Sequence, residues 1–276
     1  MSGKLYVVGT PIGNLSDFSP RAVETLSKVD FIAAEDTRVT VKLLNHFGIS
    51  KPMLAYYEHN KMSRGGDVIA RLLAGQDCAL VSDAGMPAIS DPGEDLVRMC
   101  YENGIPVESV PGPSALITAL AISGMKSGRF CFEGFLSVNK PSRRAHLAEV
   151  SREPRTMIFY EAPHKLPATL RDMLEAFGNR NIALVRELTK LHEEVIHTTL
   201  LEAAEMYNDE NKPRGEFVII VDGYTPDENE EAFTLEQAVE LARSYMAEGQ
   251  SASSAAKQAS ADTGHKKGDI YKILCK

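Results

Sequence analysis

Leu5-Tyr6-Val7-Val8 runs straight into Gly9-Thr10-Pro11-Ile12-Gly13-Asn14, and this stretch decides how the first half of the chain is read. A short apolar run closed at once by turn residues is the mark of a buried strand. The turn lacks the Gly-x-Gly-x-x-Gly fingerprint, and Pro11 disfavours a helical Thr10, so a conventional dinucleotide pyrophosphate site is disfavoured. The paired glycines still allow a ligand close to the backbone, with a plain turn as the competing reading.

Outward from this strand the pattern repeats. Phe31–Ala34, Ala79–Val81 and Val107–Val110 are further short apolar runs, and helix-period segments at Arg21–Val29, Thr37–Phe47, Val68–Leu73 and Leu96–Glu102 lie between them. That βαβ rhythm predicts a largely parallel sheet with ligand loops at the strand C-termini. Ser19-Pro20 reads as an N-cap followed by proline at the first helical position. Asp91-Pro92-Gly93-Glu94 reads the same way, so Asp91 is expected to cap a helix and not to act as a catalytic acid.

After Pro111-Gly112-Pro113 the style changes. An apolar helix at Ser114–Ile122 is followed by strand runs at Phe130–Phe135, Thr156–Tyr160, Ile182–Val185, Glu194–His197 and Phe217–Val221. Helices near Arg143–Val150, Lys165–Phe177 and Leu200–Tyr207 intervene. Strands in succession with fewer crossovers predict a mixed sheet. The expected organisation is an α/β lobe over 1–113, a second over 114–222, an acidic linker over 223–233 and a helical, helix-turn-helix-like appendage over 234–276.

Bulk properties narrow the function classes. The chain has 276 residues, 43% hydrophobic and 25% charged, which suits two compact units with real cores. No run is long enough for a membrane span and no signal peptide is read, so a cytoplasmic protein without a membrane partner is expected. Cys78, Cys100, Cys131 and Cys275 form no CxxC pair, and the histidines show no ligand spacing, so no metal is expected. The net charge of −8 does not advertise nucleic-acid binding, but Lys140-Pro141-Ser142-Arg143-Arg144 and the lysines after Ser251 are local basic patches. Each patch also reads as a solvated helix face.

Several loops carry chemistry by composition. Ala34-Glu35-Asp36-Thr37-Arg38 ends the second strand; Asp36 reads as the cap of the next helix and Arg38 as a partner for Glu35. Ser82-Asp83-Ala84-Gly85-Met86-Pro87 is a poor helix start and a good ligand-lining loop. In Pro111-Gly112-Pro113-Ser114-Ala115, Ser114 is placed to cap a helix whose free N–H groups suit an anion or carboxylate. Phe159-Tyr160-Glu161-Ala162-Pro163-His164-Lys165 ends a strand and begins a helix at Pro163. Arg186-Glu187-Leu188-Thr189-Lys190 and Arg214-Gly215-Glu216 follow the same logic, and Glu187 with Lys190 also reads as a plain ion pair.

With Thr10–Leu15 and Phe132-Glu133-Gly134-Phe135, these segments in this order resemble the bacterial 16S ribosomal RNA cytidine 2′-O-ribose methyltransferases of the tetrapyrrole-methylase-like superfamily. The resemblance covers residues 4–222, and the helical tail is similar to that family's C-terminal extension. Met86, Ala162 and Lys165 depart mildly from the pattern, where Thr, Ser and Arg are expected.

The resemblance implies a two-lobed α/β fold holding a bent S-adenosyl-L-methionine in the cleft between lobes. It places the methyl donor against Thr10, Pro11, Asp83, Ala84, Gly85, Met86, Ser114, Ala115, Tyr160, Glu161, Ala162, Gly215 and Glu216. It implies transfer to a ribose 2′-hydroxyl of 16S ribosomal RNA, bare or in the assembled small subunit, by a homodimer. Because the sulfonium already activates the methyl, alignment of the 2′-oxygen is the main task, helped by a proton acceptor. Glu35, Glu161, His164 and Glu187 are the candidates for that acceptor; Arg38, Lys165 and Lys190 are candidate clamps. The basic segment 140–144 and the tail are expected to flank the RNA groove. Methylation of a small tetrapyrrole-like substrate, or a non-catalytic binding module, are the alternative readings.

Overall fold

The computed structural model describes residues 2–208, 211–226, 234–247 and 249–275. The chain forms two compact units, one ending at Tyr224 and one beginning at Thr225. The first strand, β1 (Leu5–Val8), is followed by α1 (Pro20–Lys28), β2 (Phe31–Ala34), α2 (Thr37–His46), β3 (Met53–Ala55), α3 (Lys61–Leu73), β4 (Cys78–Val81), α4 (Glu94–Glu102) and β5 (Val107–Val110). The strands assemble in the order β3-β2-β4-β1-β5, all parallel. Leu5, Phe31 and Leu80 feed a core on one face of this sheet, and Val8, Ile32 and Val81 a core on the other. Burial on both faces explains why these strands read as unbroken apolar runs. Because all five strands point the same way, the loops that follow β1, β2, β4 and β5 leave along one rim.

Helix starts follow local chemistry in two of the four expected cases, Ser114 at the start of the helix after β5 and Asp91 being the exceptions. Ser19 accepts a hydrogen bond from the Ala22 N–H, and Asp36 accepts one from the Arg38 N–H. The expected cap at Asp91 is not formed. Helix α4 begins three residues later at Glu94, after Gly93, whose φ of 153° breaks the backbone away from the helical path, and it has no side-chain cap. Asp91 is thereby freed for the cleft.

The second sheet follows α5 (Ala115–Ile122) and is built from β6 (Phe130–Phe135), β7 (Thr156–Glu161), β8 (Asn181–Arg186), β9 (Glu194–Thr199) and β10 (Phe217–Val221). Between them lie α6 (Lys140–Glu149), α7 (Leu166–Phe177) and α8 (Leu200–Met206). The strand order is β6-β7-β10-β8-β9, with β6–β7 parallel and the other pairs antiparallel, the mixed sheet expected. A bulge shifts the β6 register between Phe132 and Gly134, with Gly134 left-handed at φ 65°. Helix α5 buries Leu116, Ala119 and Leu120 on one face of this sheet.

The segment around Lys165 starts later than expected: residues 163–165 form a turn and α7 begins at Leu166. The basic stretch 140–144 is the first part of α6, not a loop. Arg143 pairs with Asp172 at 2.6 Å, and Arg144 pairs with Asp172 and Glu175. The Arg143 guanidinium is thereby held in a largely buried ion pair, while the Arg144 side chain stays 44% exposed.

The C-terminal unit packs α9 (Leu235–Ala247), α10 (Ala252–Thr263) and α11 (Lys267–Leu274) around Ala238, Val239, Ala255, Ala259 and Ile270. Ser251 caps α10 and Gly264 closes it in the left-handed conformation at φ 75°. Most of the expected acidic linker, 227–233, lies outside the described residues.

Candidate active site

Two glycines let two of the loops at this rim meet. A Cβ on Gly9 would stand 2.7 Å from the Gly112 Cα, and one on Gly112 would stand 2.8 Å from the Gly9 backbone, so only glycine lets the loops after β1 and β5 meet. Beside them Thr10 exchanges both backbone hydrogen bonds with Gly85, at 2.9 and 3.1 Å. The Thr10 hydroxyl donates to the Ser82 carbonyl at 3.2 Å. The loop after β4 is thus stitched to the loop after β1.

Beside these loops lies a cavity of about 420 Å3, within the ordinary range of small-molecule sites. One wall is the 82–91 loop, where Ala88 and Ser90 are left-handed at φ 67° and 63°. Non-glycine residues in that region carry local strain, which the surrounding structure must hold in place. The facing wall comes from the second sheet and includes Tyr160, Val185, Leu188 and Val218. Leu188 sits between Glu187 and Thr189, left-handed at φ 51° and 64°. Phe135 stands at the cavity with its ring 5.4 Å from that of Tyr160.

Electrostatically the first wall is acidic. Glu35, Asp83 and Asp91 all line the cavity. The Asp83 N–H donates to Glu35 Oε2 at 3.3 Å, and the Asp36 N–H donates to Asp83 Oδ1 at 3.1 Å, so two loops hold each other through their carboxylates. Burial raises the pKa of Glu35 and of Asp83. Burial, reinforced by the charges of Glu35 and Asp83, pushes Asp91 up to about 6. Opposite them Tyr160 accepts a hydrogen bond from the Leu116 N–H at 2.9 Å, and burial pushes its phenol up to about 12.

Many of the residues named from sequence come together here. Asp83, Ala84, Gly85, Met86, Ser114, Ala115, Tyr160, Glu161, Ala162, Glu216 and Glu35 line one cavity. Ser114 occupies the N-cap position of α5 but makes no side-chain cap bond. Thr10, Pro11 and Gly215 are not in the lining, and two of them act as supports. Thr10 is buried and holds the 82–85 turn. Gly215, left-handed at φ 86°, leaves room for the Glu187 side chain, whose carboxylate a Cβ there would meet at 2.7 Å.

The expected proton acceptors fare differently. Glu161 is buried, accepting from the Ala162 N–H and the Thr169 hydroxyl. Glu187 is tied to Lys190 at 2.9 Å and to the Glu216 N–H at 3.1 Å, and Lys190 also bridges to Glu216. His164 is exposed, and neither it nor Lys165 lines the cavity. Arg38 pairs with Asp36, not with Glu35, and its side chain is 88% exposed.

Sequence reading missed Ile12, Ile89, Asp91 and Phe135, together with the strand residues Val185 and Phe217. Apolar strand residues carry no signal that separates a cavity wall from a core. Asp91 was hidden by a motif that imitates a cap. Among the described residues, no group of side chains could hold a metal ion, and no helix is long and apolar enough to cross a membrane.

Residues 4–204 match the family model described as Tetrapyrrole (Corrin/Porphyrin) Methylases. A Synechocystis protein named Ribosomal RNA small subunit methyltransferase I is 48% identical over 272 residues, 98% of this chain and 97% of that protein. A protein of the same name from Thermotoga maritima is 48% identical over 221 residues, covering 99% of its own length and 80% of this chain. Among solved structures, uroporphyrin-III C-methyl transferase from Thermus thermophilus complexed with S-adenosyl homocysteine aligns with a TM-score of 0.56 at 19% identity. That alignment covers 79% of this chain and 97% of the other, a likeness of fold.

Proposed function

We propose that this chain, which belongs to the tetrapyrrole methylase family and within it to the ribosomal RNA small subunit methyltransferase I group, methylates small-subunit ribosomal RNA. The methyl donor is S-adenosyl-L-methionine and the acceptor is the ribose 2′-hydroxyl of a cytidine. The observation that carries this reading is the single cavity into which loops from both sheets converge.

The residues fit the donor. A cavity of about 420 Å3 with apolar walls at Ile12, Val185 and Leu188 and carboxylates along one side suits a cationic ligand with an aromatic base. Asp83, Ala84, Gly85 and Met86 would hold it from one side, and Ser114, Ala115, Tyr160, Ala162 and Glu216 from the other. When bound, the sulfonium supplies an activated methyl group. The protein's work is then to orient the 2′-oxygen in line with that methyl and to keep water out, which Leu188 and Val185 favour by their apolar surface. Lys190, anchored by Glu187 and Glu216, stiffens the second wall.

The target ribose must be unstacked to enter, since a nucleotide in a helix cannot reach a cavity. The protein acts in the cytoplasm as a two-fold homodimer, the commonest soluble symmetry. Incubation with radiolabelled methyl donor and either small subunits or bare rRNA, followed by nucleoside mass spectrometry, tests the reading. Label in 2′-O-methylcytidine is expected. Label on a base, in a tetrapyrrole precursor or nowhere would overturn it.

A further inference from the structure

A ribose that enters the cavity brings its base with it. The base is bonded to C1′, next to the C2′ that carries the reacting oxygen, so a 2′-oxygen held inside leaves the base at the mouth. Once parted from its neighbours in the RNA, that base needs a new flat partner.

Phe135 is placed to be one. It lines the cavity yet is 55% exposed, and among the described residues it belongs to none of the hydrophobic cores. Phe132, three residues earlier on β6, does pack into the core beneath α5. In a regular strand, residues three apart point to opposite faces. Here the register runs Phe132–Ile158, Gly134–Phe159 and Phe135–Tyr160, so Glu133 is the extra residue of the bulge. Ile158 and Tyr160 share a face of β7, and the bulge therefore puts Phe132 and Phe135 on that same face. Both rings meet that of Tyr160 edge-on, at centroid distances of 4.9 and 5.4 Å. Tyr160 is tied in turn to the Leu116 N–H, so Phe135 leans on a fixed neighbour. Bulges beside active sites serve to re-aim a side chain, and this one aims an edge-strand phenylalanine at the cavity. A Cβ on Gly134 would lie 3.4 Å from Ser90 Oγ, so the bulge adjoins the 82–91 loop. Ile89 on that loop is the other large apolar residue of the lining that is exposed, at 45%.

We infer that Phe135 is the stacking platform for the base of the target nucleotide, a role that rests on the methyltransferase reading above. Every base offers a π-face, so the ring holds the nucleotide by stacking and leaves the identity of the base to other contacts. With its base held, the ribose has less freedom to lose before the 2′-oxygen lines up with the methyl group.

The test compares kcat/KM for the unaltered chain with that for Phe135→Ala, Phe135→Leu and Phe135→Tyr, on whichever of small subunits or bare rRNA the unaltered chain methylates. S-adenosyl homocysteine affinity by calorimetry and a thermal melt are taken on each. Loss of the ring in Phe135→Ala and Phe135→Leu should lower kcat/KM about 10–100-fold, while Phe135→Tyr stays within about threefold of the unaltered chain. Affinity for the homocysteine product should change less than about threefold across the series, and the melts should hardly move, as befits an exposed side chain. Leucine keeps apolar bulk without a π-face, so a Phe135→Leu variant as active as the unaltered chain overturns the inference. So does a Phe135→Tyr variant no better than Phe135→Ala. A fall in homocysteine affinity in step with activity overturns it too, because the ring would then hold the adenine of the donor. Each of these results leaves the methyltransferase reading standing. No methylation of rRNA by the unaltered chain overturns both.

Discussion

Gly9 and Gly112 touch backbone to backbone, and that contact brings the loops of two neighbouring strands together. Gly112→Ala would force its new methyl group to within 2.8 Å of Gly9 main-chain atoms, which have no free rotor to move aside. A cost of about 1–3 kcal/mol is expected, as for other overpacked positions. Donor affinity should fall further than stability, because the loops that part are the ones beside the cavity. Denaturant melts and calorimetry on the same variant check both; unchanged affinity would contradict the role given to this contact.

Asp91 also makes a prediction about stability. Its folded pKa of about 6 lies above the roughly 3.9 of an unfolded aspartate, so the folded chain holds this proton more tightly. Stability from this group is fully present below about pH 4 and is lost as pH rises through about 6. Asp91→Asn should therefore raise the melting temperature at pH 7, by the equivalent of about 1–2 kcal/mol after allowing for partial exposure. The variant should be more stable and less active, the trade expected of a site carboxylate. Thermal melts at pH 5 and pH 7 read the effect directly.

Arg143 and Asp172 form an ion pair whose side chains are 11% and 6% exposed. Burial alone would raise the Asp172 pKa, but the Arg143 and Arg144 guanidiniums hold it below its usual value. Its contribution is thus present at neutral pH and is lost as pH falls through that lowered value. Arg143→Met should cost about 3 kcal/mol and move acid unfolding to higher pH. RNA affinity, measured where the variant is still folded, should be unchanged. A specific loss of RNA binding would instead support the groove-flanking role read from the sequence.

The C-terminal unit carries exposed Lys257, Lys266, Lys267 and Lys272. A chain ended at Tyr224 should keep the melting behaviour and donor affinity of the two-sheet unit. Its affinity for rRNA should fall about tenfold, with a shallower dependence on salt, because fewer phosphates are neutralised. Filter binding across a salt series measures both quantities. Equal loss of donor and RNA binding, or no loss at all, would count against the tail as an RNA contact.

How far the sequence could be read depended on whether the deciding partner lay nearby. Strands β1, β2, β4 and β5 were legible because burial on both faces turns them into apolar runs. β3 was not, since Met53–Ala55 is three half-buried residues. Asp91 carried a local capping signal, and only the Gly93 backbone shows that the helix starts elsewhere. Arg143 and Arg144 looked free because Asp172 lies a whole strand and helix away. Thr10 lies behind the cavity lining and supports the 82–85 turn, and sequence alone offers no means of telling a supporting residue from a lining one.

The position of β1 inside the first sheet has a consequence for how the molecule is born. Leu5 pairs with Cys78 on one side and Val107 on the other, so β1 waits for two strands made well after it. Closing such long loops is slow and entropically costly. Strand β1 must stay unpaired until β4 emerges and half-paired until β5 does, and only then can Gly9 meet Gly112. Synthesis paused before that point would yield a chain with its first helices made and no place for a ligand.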